Sequence, residues 1–309
     1  MRAEQVYRNS ELVTLDSAPN NSYFAMFPTI RPSHKDSYFA LFPSLHLSYK
    51  FSDAAEMQLN YSRRTRRPEG DDLNPFPQYR DPRNVSSGNP ELLPEYTNSV
   101  ELGCKFQNDE FSILPSIYYR YTYNRFTSII EALNDTILLS TRTNLSNDQS
   151  TGVETIVSAS INDAFSAHAS ATVFYNQIDA SNLGYSNNKS VITWSGAMTF
   201  NWNVAKYSMI QINSSYSSWR LTPQGENLPS YVVNLGFRQE LFDKKLSLIL
   251  TAADIFKTLQ RKGEINTPLF KQTTINLRDS RVVFLGFTYH FGTPAKKSQD
   301  DVLKYDDNI

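Results

Sequence analysis

Short polar connections alternate with long ones along this chain, and the alternation is never broken. The short ones are Ser52-Asp53-Ala54, Gln107-Asn108-Asp109, Asn162-Asp163-Ala164, Val204-Ala205-Lys206 and Phe242-Asp243-Lys244. The long ones occupy residues 5–37, 65–94, 127–149, 178–189, 220–229 and 258–275. Between them lie segments in which every second residue is apolar. A turn of two or three residues permits only an antiparallel return. Such strands run up and down in order, with all tight turns at one end of the sheet and all loops at the other.

The alternation itself is regular. Segment 110–124 carries Phe111, Ile113, Pro115, Ile117, Tyr119, Tyr121 and Tyr123 on one face and Ser112, Ser116, Arg120 and Thr122 on the other. Segment 38–51 sets Leu45, Leu47, Tyr49 and Phe51 against Ser44, His46, Ser48 and Lys50, and 231–240 sets Val233, Leu235 and Phe237 against Asn234, Arg238 and Glu240. One face is apolar and the other polar. Eleven strands are expected, at 38–51, 55–64, 95–106, 110–126, 150–161, 165–177, 190–203, 207–219, 230–241, 245–257 and 276–291, and Met1–Glu4 reads as the top of a twelfth. Most are longer than the five or six residues usual in soluble sheets, and long enough to cross a bilayer at a tilt. Aromatic residues gather near strand ends, as at a lipid–water interface: Tyr119, Tyr121 and Tyr123, then Trp202, Tyr207 and Trp219, and finally Phe291. A secreted β-sandwich binding protein also alternates, but has no reason to keep every second connection short. The expected fold is all-β, an antiparallel up-and-down transmembrane β-barrel in the outer membrane of a Gram-negative cell, with tight turns in the periplasm and loops outside.

Composition agrees. The chain has 18 Tyr and 19 Phe, yet its mean hydropathy is negative, and no apolar run approaches the roughly 20 residues of a spanning helix. A net charge of −1 offers no basic field for nucleic acid. The single cysteine, Cys104, excludes an intrachain disulfide and falls on the lipid-facing phase. Residues 1–25 contain no secretory h-region, although a barrel must be exported, so the chain is expected to be a fragment or to start upstream.

Asn89-Pro90-Glu91-Leu92-Leu93-Pro94-Glu95, followed by Tyr96-Thr97-Asn98-Ser99-Val100-Glu101-Leu102-Gly103, resembles the segment that enters a strand in TonB-dependent receptors. Tyr61-Ser62-Arg63-Arg64-Thr65-Arg66-Arg67-Pro68 and Leu73-Asn74-Pro75-Phe76 resemble the matching loop of the Bacteroidota outer-membrane β-barrel family, and 279–292 is similar to that family's final strand. The resemblance covers nearly all of 36–292. It implies a 22-stranded barrel around an N-terminal plug, energised through a TonB box, for uptake of a siderophore, glycan, peptide or cobalamin. Neither plug nor TonB box is in this sequence. The expectation is therefore a C-terminal part of such a receptor, with 1–37 as strand remnant and duplicated extracellular loop, 38–292 as barrel and 293–309 as polar periplasmic tail. Its partners would be outer-membrane lipid and lipopolysaccharide, the missing plug and barrel half, the TonB complex through that missing part, and the nutrient.

The candidate ligand-facing residues lie in the outer loops. Phe76, Tyr79, Arg80 and Arg83 combine aromatic and guanidinium groups in 65–94, and Arg142 and Asn144 do so with an amide in 127–149. Arg66 and Arg67, with Arg63 and Arg64, suit carboxylates or phosphates. The plainer reading is that these four pair with Glu69, Asp71 and Asp72, or with lipopolysaccharide phosphates at the rim. Ser22–Thr29 recurs as Ser37–Ser44, a duplication that lengthens a loop. No cofactor, metal site or catalytic group is expected: His34, His46, His168 and His290 are scattered, and no HExxH, cysteine pair or GxSxG is present. A passive porin-like barrel is the nearest alternative function, and an outer-membrane enzyme a more distant one.

Overall fold

The computed structural model describes residues 2–11, 33–183, 189–277 and 279–291. Its strands in chain order are β1 (Arg2–Glu11), β2 (Ser33–Phe42), β3 (Ser44–Ser52), β4 (Ala55–Arg66), β5 (Gln78–Asp81), β6 (Asn84–Ser86), β7 (Glu95–Gln107), β8 (Phe111–Tyr123), β9 (Phe126–Ala132), β10 (Leu138–Asn144) and β11 (Asn147–Asn162). They continue with β12 (Phe165–Asp179), β13 (Lys189–Ala205), β14 (Ser208–Ser217), β15 (Arg220–Thr222), β16 (Gly225–Asn227), β17 (Ser230–Leu241), β18 (Leu246–Ala253), β19 (Gln260–Asn266), β20 (Lys271–Leu277) and β21 (Val282–Tyr289).

Eleven of them form one antiparallel sheet in the order β3-β4-β7-β8-β11-β12-β13-β14-β17-β18-β21. Each strand pairs with its predecessor and successor in the wall, as alternate tight turns and long loops require. The sheet is open, with β3 and β21 at its edges.

The register converts the alternation of single strands into a continuous surface. Leu47 opposes Leu59, which opposes Leu102, then Ile117, Val153, Val173 and Trp194. Further round, Trp202 opposes Ile210, which opposes Phe237, Leu250 and Leu285. Residues directly opposite share a face, so these rows make one apolar belt, and Met57 opposite Cys104 belongs to it. The belt is exposed: Ile117 is 53% and Leu285 75% accessible. Aromatic residues border it. Phe111 and Phe165 lie at the tight-turn end, Tyr119 and Tyr175 at the loop end. Phe111 and Tyr119 are roughly 27 Å apart along β8 at about 3.4 Å per residue. At a tilt of about 40° that spans roughly 21 Å, close to the ~25 Å apolar band of a transmembrane barrel. The opposite face is polar: Ser48, Gln58, Gly103, Ser116, Glu154, Thr172 and Ser195 form one of its rows.

Several expectations need correction at the loop end. The strand expected only at 1–4 runs to Glu11 and pairs along its whole length with β2, from Arg2 opposite Phe42 to Glu11 opposite Ser33. Residues 5–11 and 33–37 are therefore strand and not loop. The single strand expected at 38–51 is broken at Pro43, which has no N–H to give; its carbonyl accepts the Arg63 N–H instead. The strand expected to end at 126 stops at Tyr123, where Asn124 turns left-handed (φ 54), and that expected to end at 257 stops before Asp254 (φ 42). The strand expected at 276–291 divides into the end of β20 and β21. The first copy of the duplication and the tail lie outside the described residues, whereas the second copy spans β2, Pro43 and the start of β3.

Candidate functional site

The long connections are folded. At the outer end β5, β6, β10 and β9 form one four-stranded sheet and β15, β16, β19 and β20 another. Local chemistry sets the turns. In Asp81-Pro82-Arg83-Asn84 the Asp81 carboxylate accepts the N–H groups of Arg83 and Asn84 and the Asn84 amide, with proline at the favoured second position. The hydrogen bonds from the Asn84 side chain and the Arg83 backbone hold the Asp81 carboxyl below its usual pKa. Asn134 turns β9 into β10 the same way, accepting from Thr136 and Ile137. Val85 and Leu139 are buried between these strands, with Leu133 and Ile137 packed on them.

The segment 88–95 is bolted to this sheet. Asn89 accepts the Glu91 N–H and donates to the Arg142 carbonyl, and Leu92 is fully buried. Gly88 passes so close to residues 72–74 that a Cβ there would meet the Asp72 carbonyl oxygen at 2.6 Å and the Asn74 nitrogen at 2.7 Å. The Asn144 carboxamide accepts the Leu93 N–H and donates to the carbonyls of Leu93 and Asn124. Its hydrogen-bonding groups are taken by the backbone, which makes it a structural clip.

Gln224 ties the two outer sheets together. Its amide donates to the Ile130 carbonyl and its oxygen accepts the Ile130 N–H, both at 2.7 Å, across 94 residues of sequence. Below the second sheet, Asp254 is buried and accepts from the Thr258 and Leu259 N–H groups and from the hydroxyls of Thr258 and Ser280. Burial pushes its pKa up, but these hydrogen bonds outweigh it and hold the carboxyl at about 2. Neither Gln224 nor Asp254 stood out in the sequence. The only local sign of Gln224 is its place between Pro223 and Gly225, where the chain must turn.

Two clefts share the β9–β10 floor, Ser128 and Ser140 lining both. The first, of about 230 Å³, is walled by Asp71, Asp72, Phe76, Gln78, Arg80 and Arg142. Arg142 Nε lies 2.6 Å from Asp72 Oδ1. The second, of about 370 Å³, lies beside the Gln224 clasp and is walled by Ile130, Glu226, Arg261, Lys262 and Glu264. Hydroxyls, guanidinium groups and carboxylates facing a hollow can bind a polar solute.

Of the residues singled out from sequence, Phe76, Arg80 and Arg142 meet in the first cleft. Tyr79 opposes Val85 on the other side of the same small sheet, and Arg83 lies in its turn. The arginine tetrad is split. Arg63 turns outward between Tyr96 and Tyr123. Arg64 faces the lumen in a hollow of about 430 Å³ with His46, Asn60, Glu101 and Arg120. Arg66 lies over the Phe126 ring and 3.8 Å from Glu95, with Arg67 following it beyond β4. Asp72 pairs with Arg142, which comes from β10, far along the chain. His46 bonds to Asn60 and His168 to Ser158 on the polar wall. Among the girdle residues, Tyr119 caps the apolar belt, Tyr121 and Tyr123 stand above it, and Trp219 lies beyond β14 at the outer end. Trp202, Tyr207 and Phe291 lie at the tight-turn end, where Trp202 stacks on Phe165 at 5.9 Å.

A comparison with curated proteins returns no match. Among solved structures the chain is similar in fold to the siderophore receptor PirA from Pseudomonas aeruginosa, at a TM-score of 0.58 and 13% identity over 83% of this chain and 44% of that one. It is similar to the ferric yersiniabactin uptake receptor FyuA from Yersinia pestis, at 0.61 and 11% over 84% and 39%, and to the copper transporter OprC, at 0.60 and 11% over 85% and 41%. The chain thus spans about two-fifths of the length of these proteins. The Outer membrane protein beta-barrel family matches residues 1–289. The exposed apolar belt, its aromatic borders and this match lead to one conclusion: the chain is an outer-membrane protein and belongs to that β-barrel family.

Proposed function

We propose that this chain is the barrel portion of a Bacteroidota-type TonB-dependent receptor, taking up a scarce nutrient such as a siderophore or glycan at the expense of inner-membrane energy. The carrying observation is the pair of adjoining clefts on the outer sheets, set above a polar wall. On this reading the solute is captured by Phe76, Arg80 and Arg142, then passes along a lumen lined by Ser, Thr, Asn and charged groups. A plug and further strands complete the barrel, and the TonB complex acts through that plug. The protein is a receptor and not an enzyme. A siderophore receptor, a ferric yersiniabactin uptake receptor and a copper transporter are among the proteins that share its fold, which supports uptake over passive diffusion.

Val85 sits in the core of the outer sheet, so the test leaves it in place. Phe76→Ala with Arg80→Ala touches the cleft and leaves that core intact. In the native protein the double variant is expected to lose about tenfold or more in nutrient uptake with normal outer-membrane levels, as removal of one or two well-placed contacts predicts. Uptake that continues when the energy-transducing complex is removed would replace this reading with a passive pore.

A further inference from the structure

The outward face of the wall changes character within one row. Tyr61, Val100, Tyr119, Thr151, Tyr175 and Ile192 face one another across six strands at the top of the apolar belt. One row nearer the loops stand Arg63, Asn98, Tyr121, Gln149, Gln177 and Ser190. The tyrosine hydroxyls reach upward across this boundary, Tyr61 to Asn98 Oδ1 at 3.2 Å and Tyr119 to Gln149 Oε1 at 3.3 Å. Hydrocarbon ends where such tyrosines stand. Because the loops are the outer end, the polar row lies at the headgroups of the outer leaflet.

Arg63 is the one cation of that row. Its guanidinium carbon lies 5.5 Å from the Tyr96 ring centroid and 5.8 Å from that of Tyr123. Those rings stack at 5.1 Å, and Phe42 extends the stack at 6.3 Å. The guanidinium also donates to the Tyr123 hydroxyl, while its Nε is shielded and meets no acceptor. No carboxylate pairs with Arg63 among the described residues: Glu95 and Asp72 are engaged by Arg66 and Arg142. A rigidly held guanidinium without a carboxylate suits a phosphate.

We propose that Arg63, clamped by Tyr96 and Tyr123 and flanked by Asn98, binds a phosphate of the outer-leaflet glycolipid lipopolysaccharide. The ligand's acyl chains lie on the apolar belt below, and its phosphate enters at the polar row. A phospholipid phosphate belongs to the inner leaflet, at the other end of the wall.

The test uses native protein purified from outer membranes and exchanged into nanodiscs of phosphatidylcholine. Bisphosphorylated lipid A is added, and the amount retained is read by native mass spectrometry. Wild type should retain it, and Arg63→Gln should retain at least tenfold less at equal assembly, judged by heat-modifiable mobility. Arg63→Lys, which keeps charge but loses the fork, should fall between them. Dephosphorylated lipid A should be held equally and weakly by all three. Equal retention of bisphosphorylated lipid A by wild type and Arg63→Gln overturns the proposal, and so does displacement by inorganic phosphate at the same concentration, which would mark a free-anion site. If Arg63→Gln fails to assemble, Tyr123→Phe removes only the hydroxyl that orients the guanidinium. About threefold weaker retention is then expected, and undiminished retention overturns the proposal equally.

Discussion

The wall and the outer sheets of this molecule are built for different solvents. In the wall, apolar side chains are the exposed ones, and Phe287 is 77% accessible. Yet its rows are the most regular part of the structure. In the outer sheets and at the loop end of the wall strands the usual order returns: Val85 and Leu139 are buried together, Leu145, Ile178 and Ala180 form a second cluster where β12 leaves the wall, and polar groups line the open clefts. A wall strand is therefore stabilised by backbone pairing on both sides and by lipid on one face, whereas a loop strand needs a partner side chain above or below it. The first needs only period-two alternation. The second depends on which distant residues arrive at the same place.

Four experiments bear on this contrast. The largest effect concerns closure. Unpaired backbone in hydrocarbon is prohibitive, and β3 and β21 are both edges of the wall sheet. This 309-residue chain, exported alone, is expected to give no SDS-resistant, heat-modifiable barrel. A folded monomer in outer-membrane fractions would show that its edges do find one another.

The second probes the two faces of one strand. Ile117→Arg places a charge mid-belt and should destabilise the assembled protein by roughly 2–4 kcal/mol. Its neighbour Ser116→Arg points into the lumen and should cost under about 1 kcal/mol. Urea unfolding of the native protein in lipid vesicles measures both, and equal losses would mean the faces are misassigned.

Gln224→Ala tests whether the loops hold themselves together. Losing two hydrogen bonds from a buried amide should cost roughly 2 kcal/mol, confined to the outer sheets. Hydrogen exchange at the Ile130 amide should rise some tenfold with wall amides unchanged, and faster exchange spread through β8 and β11 would show instead that loops and wall open as one unit.

The smallest effect is pH dependence at Asp254. Its folded pKa is depressed to about 2 from a usual value of 3.8. Such a group stabilises fully above about pH 4, and its contribution fades as the pH falls toward 2. Protection of the Thr258 and Leu259 amides, corrected for intrinsic exchange rates, should fall over that window in wild type and be weak throughout in Asp254→Ala. Protection that is flat from pH 5 to 2 would remove Asp254 from this role.

The sequence by itself determined the wall. Turn length, strand phase and the lipid-facing set around Ile117, Val233 and Leu235 were all legible, because a strand between a tight turn and a long loop has one neighbour on each side and a face fixed by parity. It also singled out Phe76, Arg80 and Arg142, which meet in one cleft of the folded loops. What only the tertiary structure decided lies where chain neighbours do not determine spatial ones. Asn144 clips the backbone of Leu93 and Asn124, Asp72 pairs with Arg142 of a distant strand, and Gln224 reaches Ile130 across 94 residues. Strands recur with a period that can be read along the chain. A loop core is assembled from segments whose meeting depends on the wall that brings their ends together, and no local pattern records that.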